Sequence, residues 1–328
     1  MALDADRRAQ LERSRAVALL RDHFDADTSG VAGGAPFGVT VLSDKRAWIV
    51  SMSADLAALG GVLAWLDRHR VTEAQWIVED HGAVHARRVS VLAPELRVWT
   101  SRGSTVEPAI AAPLPTARPR PEFRPDLESL LVAEGLEIVC ENGIIRGELA
   151  GLEVARIVDG PDGPVLEAGV GRFDREAGAL LHGGRSMSDS LRDAVRQVRP
   201  HRQHGSVSHA VNRLARERWL RHLVMQDPQS AGVVAPELVE PIPPRPNLLD
   251  AAPASLVGSD GDSRVLVMCS VGVDLGLVPA AADLVAAHEP DEVRFVLPAR
   301  DQLPYLARLI ERLPIPARVI SIEPPWRE

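Results

Sequence analysis

Between Arg185 and His222 nine arginines stand against Asp189, Asp193 and Glu217, a local excess of six positive charges in a 328-residue chain of formal net charge −8. Guanidinium groups fork onto anionic oxygens, so such an island fits phosphate and gives salt-sensitive, sequence-independent affinity. Arg196, Arg199, Arg202, Arg213 and Arg216 are the candidate phosphate contacts. Solvated helix faces, or a patch docking on the acidic remainder of the chain, would also account for the run. The same island holds His201, His204 and His209 in one loop. They have the donor type for a transition metal, but the loop supplies no Asp, Glu or Cys, so they read as polar groups of an anion-binding surface. Ser208 reads as a helix N-cap.

A second set lies where strands end. Parallel sheets bind ligands at the carboxyl ends of their strands, which makes Cys269, Ser270 and Asp274 candidates, with Ser51, Ser53 and Asp55 at the equivalent place near the N-terminus. A phosphatase-type Cys-x5-Arg needs Arg where Leu275 stands, and no Gly-x-Ser-x-Gly elbow surrounds Ser270. Ser53, Asp55 and Asp274 also read as N-caps, and Cys269 as a small apolar residue. His81 and His85 share helical spacing, but Gly82 occupies the position of a zinc-protease glutamate, so the pair reads as surface decoration. Lys45 is the sole lysine and lies in a turn, which excludes a Walker-type phosphate loop or a lysine Schiff base elsewhere. The other 36 basic residues are arginine, a bias that matches the Ala-, Gly- and Pro-rich composition of high-GC coding.

The elements that must position these residues fall into three modules. Proline-rich stretches at 108–125 and 227–262 cannot continue a helix or a central strand and read as linkers. Residues 1–107 read as a leading helix (5–24), a hairpin (37–50) and a βαβαβ run. Residues 263–328 repeat the βαβαβ order, with strands at 264–268, 292–297 and 317–322 and helices at 278–288 and 303–313. The echo raises an internal duplication. Residues 126–226 have a different grammar: a helix at 126–134, strands on either side of the Asn142-Gly143 turn, further strands at 152–158 and 165–168, then helical patterns at 173–181, 188–198 and 209–225. The expected class is α/β, with two small parallel βαβ modules flanking an α+β middle domain built on an antiparallel sheet. Two widely separated cysteines, no leader pattern and no run of about 18 apolar residues lead us to expect a cytoplasmic chain without a membrane span.

In the middle module, Gly147-Glu148-Leu149, Glu153 and Leu166-Glu167-Ala168-Gly169 resemble the strand acids of the PD-(D/E)xK nuclease superfamily over about 60 residues. The resemblance implies Mg²⁺ held by Glu148, Glu153 and Glu167 and a water activated beside it. The family's lysine is missing, since Gly169 stands in its place, which puts cleavage in doubt and leaves Arg172 or another group to substitute. Leu152–Val158, Glu167–Glu176 and Cys269–Pro279 also resemble an uncharacterised actinobacterial protein family, which implies a bacterial intracellular protein and assigns no residue a role.

The leading expectation is therefore a nucleic-acid-associated protein with a degenerate nuclease-like middle domain, needing no cofactor unless Mg²⁺ serves a retained site. The alternative is a non-catalytic scaffold or regulatory protein binding a protein partner or small ligand at the strand ends. A third reading is a hydrolase or transferase acting through Cys269.

Overall fold

The computed structural model describes residues 5–30, 32–116, 118–122, 124–161, 163–172, 174–175, 186–242 and 252–326. Among them the helices are α1 (Ala5–Phe24), α2 (Ala58–His69), α3 (Gly82–Leu92), α4 (Pro125–Ala133), α5 (Met187–Val198), α6 (Arg216–Gln226), α7 (Leu277–His288) and α8 (Pro304–Ile310). One sheet runs β1 (Ala32–Ala35), β2 (Gly38–Ser43), β3 (Arg46–Ser51), β4 (Glu73–Val78), β5 (Leu96–Arg102), β6 (Thr105–Pro108) in spatial order. The second has β7 (Glu137–Glu141), β8 (Ile144–Leu149), β9 (Leu152–Gly160) and β10 (Gly163–Ala168), and the third β11 (Val234–Val239), β12 (Ala254–Asp260), β13 (Ser263–Cys269), β14 (Glu292–Leu297) and β15 (Ala317–Ser321). Parallel pairs β3/β4, β4/β5 and β13/β14 lie in the first and third sheets, while the second, the middle one in chain order, is an antiparallel meander. The chain is thus α/β, with the parallel and antiparallel parts where the patterning puts them.

The chain divides into two compact units, one of Met1–Leu114, Val273–Ala287 and Leu303–Ala317, the other of Pro115–Gly272, His288–Gln302 and Arg318–Glu328. The C-terminal βαβαβ run is shared between them: α8 and nearly all of α7 belong to the first, and its strands, apart from Ala317, to the second. The 227–262 segment, read as a linker, carries β11 and β12. Strand pairing overrides its prolines, which leave Ala254–Asp260 free to pair with both β11 and β13. Among the described residues no helix is long and apolar enough to cross a membrane.

In the first unit, Ala16, Leu19 and Leu20 of α1 recur at helical spacing and are buried with Val39, Val41, Val50 and Ile77. Gly60 of α2 is required by packing, because a Cβ there would stand 1.7 Å from the carbonyl oxygen of Leu275. Asp283, 1% exposed on α7, accepts from Arg87 Nε at 3.0 Å and Arg88 Nε at 2.9 Å. The same guanidinia donate to the carbonyls of Leu56, Ala112 and Pro113, so one carboxylate ties α3 to α7. Arg312 makes a similar clamp on Asp67 and Glu95.

In the second unit, α4, α5 and the middle sheet share a core that includes Leu127, Leu131, Ile145, Leu152, Leu166, Leu191, Val195 and Val198. Ser186 caps α5, its hydroxyl accepting from the Asp189 amide at 3.1 Å. The 173–181 helical pattern lies almost wholly outside the described residues. The pattern at 209–225 is interrupted: Ala210–Arg213 is a 3₁₀ turn capped by His209, not Ser208, and Ala215 adopts φ 46° before α6 begins. On its far side α6 buries Trp219, Leu220 and Val224 against Leu256, Val265, Val267 and Cys269 of the third sheet.

Replacing Asp283 by Asn removes the carboxylate charge that two largely buried guanidinia share, and the expected loss is roughly 3–5 kcal/mol of unfolding free energy. Urea denaturation measures it, and an unchanged midpoint would mean that the clamp contributes nothing.

Candidate phosphate-binding surface and the arginine–glutamate lattice

Asn142-Gly143 turns β7 into β8 with φ of 56° and 69°, as its sequence dictates, and Ala150-Gly151 turns β8 into β9 in the same left-handed way. Gly151 has a second constraint, since a Cβ would lie 2.4 Å from the backbone of Arg218. That close approach lays α6 over the acidic strand residues.

The strands alone place like charges opposite one another: Glu148 faces Glu153, and Arg146 faces Arg156. Such pairs repel unless other groups intervene. Arg218 bonds both Glu141 and Glu148, and Arg221 Nη2 donates to Glu148 at 3.0 Å. Arg146 bridges Glu141 and Glu153, Arg175 bridges Glu153 and Glu167, and Arg156 donates to Glu167 at 2.8 Å. Five guanidinia and four carboxylates thus form one continuous lattice across four strands, a helix and the segment after β10. Burial alone would raise the Glu141 carboxyl, but the charge and hydrogen bond of Arg218, with Arg146 and Arg221, hold it below the ordinary carboxylate range. Burial opposes the charge on Arg218, and Glu148 and Glu141 more than offset it, pushing this guanidinium above its usual value.

Glu148, Glu153 and Glu167 are therefore brought onto adjacent strands, but as partners of arginine. Glu148 accepts from two arginines and is 1% exposed, and Glu153 is held by Arg146 and Arg175. These residues do not fit Mg²⁺, and among the described residues no group of three or more His, Cys, Asp or Glu is arranged to hold a metal ion. Arg175 escaped the sequence reading, although it lies only six residues beyond Gly169.

The basic island divides into two sets. Arg218 and Arg221 face the lattice, and Arg202 is 5% exposed with its guanidinium 4.5 Å over the Trp219 ring, so it is no surface contact. Arg192, Arg196 and Arg199 face outward, one position along from the buried stripe Leu191, Val195, Val198. With Glu134, Val195, Pro200 and Gln203 they line an open hollow of about 390 Å³. Arg192 Nε lies 3.3 Å from Glu134, Arg196 pairs with Asp193 and Arg199 donates to the Glu134 carbonyl at 2.7 Å. Exposed pairs of this kind are worth little and exchange readily. Arg213 is exposed, and Arg216 is half-buried over Trp326. His201 and His209 stack face to face, with ring centroids 3.8 Å apart.

At the strand ends, Cys269 is fully buried in an apolar core that pushes its thiol up to about 12, and Ser270 is equally enclosed. Burial withdraws both from a ligand set and removes Cys269 as a nucleophile. Asp274 accepts from the Gly276 amide at 2.9 Å, and Asp55 from that of Ala57 at 3.0 Å, in turn-capping roles. Ser51 is buried beneath Phe37 and accepts from Trp76 Nε1, while Ser53 is exposed. His85 is not surface decoration. It is fully buried against Trp76, and burial, with Arg88 and His81 nearby, pulls it down to about 3.

Comparison of the chain with protein-family models, with curated proteins and with solved structures finds no match.

Glu148→Gln is expected to cost roughly 3–5 kcal/mol of stability by stranding Arg218 and Arg221, read by urea titration. Millimolar Mg²⁺ should leave the melting temperature of the wild-type chain unchanged, and a rise of several degrees would contradict the lattice assignment. Because Glu141 is depressed in the folded state, its contribution is present above the unfolded carboxylate value of about 4.3 and is lost as pH falls through the lower folded value. Stability measured against pH should therefore decline on the acid side, less steeply in Glu141→Gln.

Proposed function

We propose that the chain is a non-catalytic nucleic-acid-associating protein that holds phosphates on the outward arginines of α5, with Arg213 as an additional contact. The observation that carries this reading is the row Arg192, Arg196, Arg199 lining one open hollow on a capped helix. The helix and its C-cap Arg199 fix the spacing of three guanidinia, and the carboxylates they now hold, Asp189, Asp193 and Glu134, are ones a phosphate oxygen can replace. The lattice supports the non-catalytic part, because its carboxylates are already neutralised. On this reading the middle sheet is a nuclease-like frame whose acids have become structural.

The scaffold reading draws on β11, which ends the order of its sheet and exposes Val234 and Leu238, an edge to which a partner's strand can add. It predicts association without salt-sensitive nucleic-acid affinity.

Fluorescence anisotropy of labelled single- and double-stranded DNA and RNA, titrated at several salt concentrations, separates the two. Binding should weaken steeply with salt, and Arg196→Ala with Arg199→Ala should lower affinity on every sequence and flatten the salt slope by about two. No binding at low salt, or an unchanged slope in the double variant, would retire the nucleic-acid reading.

A further inference from the structure

Four of the eleven buried side-chain polar atoms that lack a hydrogen-bond partner among the described residues gather in one place: Arg202 Nε, Arg202 Nη1, Asn212 Oδ1 and Trp326 Nε1. Arg202 lies over Trp219 at 4.5 Å, Trp219 meets Trp326 at 5.5 Å between centroids, and Arg216 lies over Trp326 at 5.0 Å. The two indoles are thus sandwiched between two guanidinia. Asn212 joins this stack through its backbone carbonyl, which accepts from Arg216 Nε at 2.9 Å. Pro325, beside Trp326, is held by the Gly205 amide at 2.6 Å.

Leaving a buried donor unmet costs about 1–3 kcal/mol, so such atoms do not collect by accident. Three of the four are donors. Arg202 has one bond, from Nη2 to the Leu214 carbonyl at 2.5 Å, and no carboxylate within salt-bridge distance among the described residues, and burial pulls it down to about 9. Burial also lowers Arg216, and the like charges of Arg300 and Arg213 lower it further, Glu217 and Asp301 only partly opposing them. Arg300 sits in the turn after β14, its Nε 3.5 Å from Asp301, which also accepts from the Gly272 amide at 2.8 Å. Glu148 and Glu217 only partly offset the desolvation of Arg202, so its two unmet donors call for a further acceptor.

We infer that Arg202, Arg216, Arg300 and Trp326 form a discrete oxyanion site, separate from the α5 surface, that takes a phosphate group. Arg216 and Arg300, both partly exposed, are its entrance, and Arg202 and Trp326 its buried donors. The phosphate comes either from a small free phosphate or from the terminal phosphate of a nucleic acid, and a flat indole beside the donors suits either.

Isothermal titration calorimetry of the full chain with inorganic phosphate tests this. Binding at one site per chain is expected, weakened about tenfold or more by Arg300→Ala, which removes a partly exposed side chain, and unaffected by Arg196→Ala with Arg199→Ala. Trp326→Phe, which keeps a ring but deletes the donor, should weaken it several-fold. A short oligonucleotide with and without a 5′-phosphate identifies the source: competition by the phosphorylated form alone assigns the site to nucleic-acid ends, and indifference to both assigns it to a free phosphate. No heat with phosphate up to about 10 mM, or wild-type affinity in Arg300→Ala, overturns the site while leaving the α5 surface standing.

Discussion

The buried contact of Arg218 and Arg221 with Glu148 is the constraint on which the second unit depends. A meander that sets Glu148 against Glu153 and Arg146 against Arg156 has no stable charge arrangement of its own. It acquires one only when α6 arrives, and α6 arrives only because Gly151 lets the backbone of Arg218 approach the β8–β9 turn. The same helix buries Trp219, Leu220 and Val224 on its other side. Middle sheet, helix and third sheet are therefore coupled through eleven residues of α6. Desolvation makes such a lattice expensive, and removing any one partner exposes that cost in full.

Arginine is suited to this use. It stays charged when buried, and its planar fork satisfies several acceptors at once. Each clamp in the molecule follows that rule. Arg87 and Arg88 join Asp283 to three backbone carbonyls, and Arg294, 1% exposed, joins Asp260 and Glu292 to the carbonyls of Ala231 and Gly232. With Lys45 the sole lysine, structural and ligand-facing roles fall to one residue type. The distinction between them is made by burial: the guanidinia enclosed with their carboxylates and carbonyls hold the fold, and those of the outer row along α5 face solvent.

Much of the architecture was legible in local pattern. The Asn142-Gly143 turn, β14 and the C-terminal limit of α5 follow from turn chemistry and period. The Ala150-Gly151 turn was not, because Ala at φ 45° carries no sequence signal and only the packing of α6 selects it. β11 and β12 were hidden by their prolines. The site was legible as a charge excess and illegible in its partition. Arg199 and Arg202 are three residues apart, yet one is exposed and the other buried, since α5 ends at Val198 and the chain turns inward. The pairing of Glu148 with Arg218 spans seventy residues, beyond the reach of any local period. His85 misled for the same reason: spacing puts it on a helix face, and only the sheet beneath shows which face is buried.

A double-mutant cycle between Glu148 and Arg218 tests the lattice most directly, using Glu148→Gln and Arg218→Met and unfolding free energies from urea titration. If the lattice holds the unit together, each single change costs several kcal/mol and the double variant costs at least about 2 kcal/mol less than their sum, because neither charge is then stranded by the other's loss. Additive losses would contradict it, and would mean that the two residues stabilise the fold independently of each other.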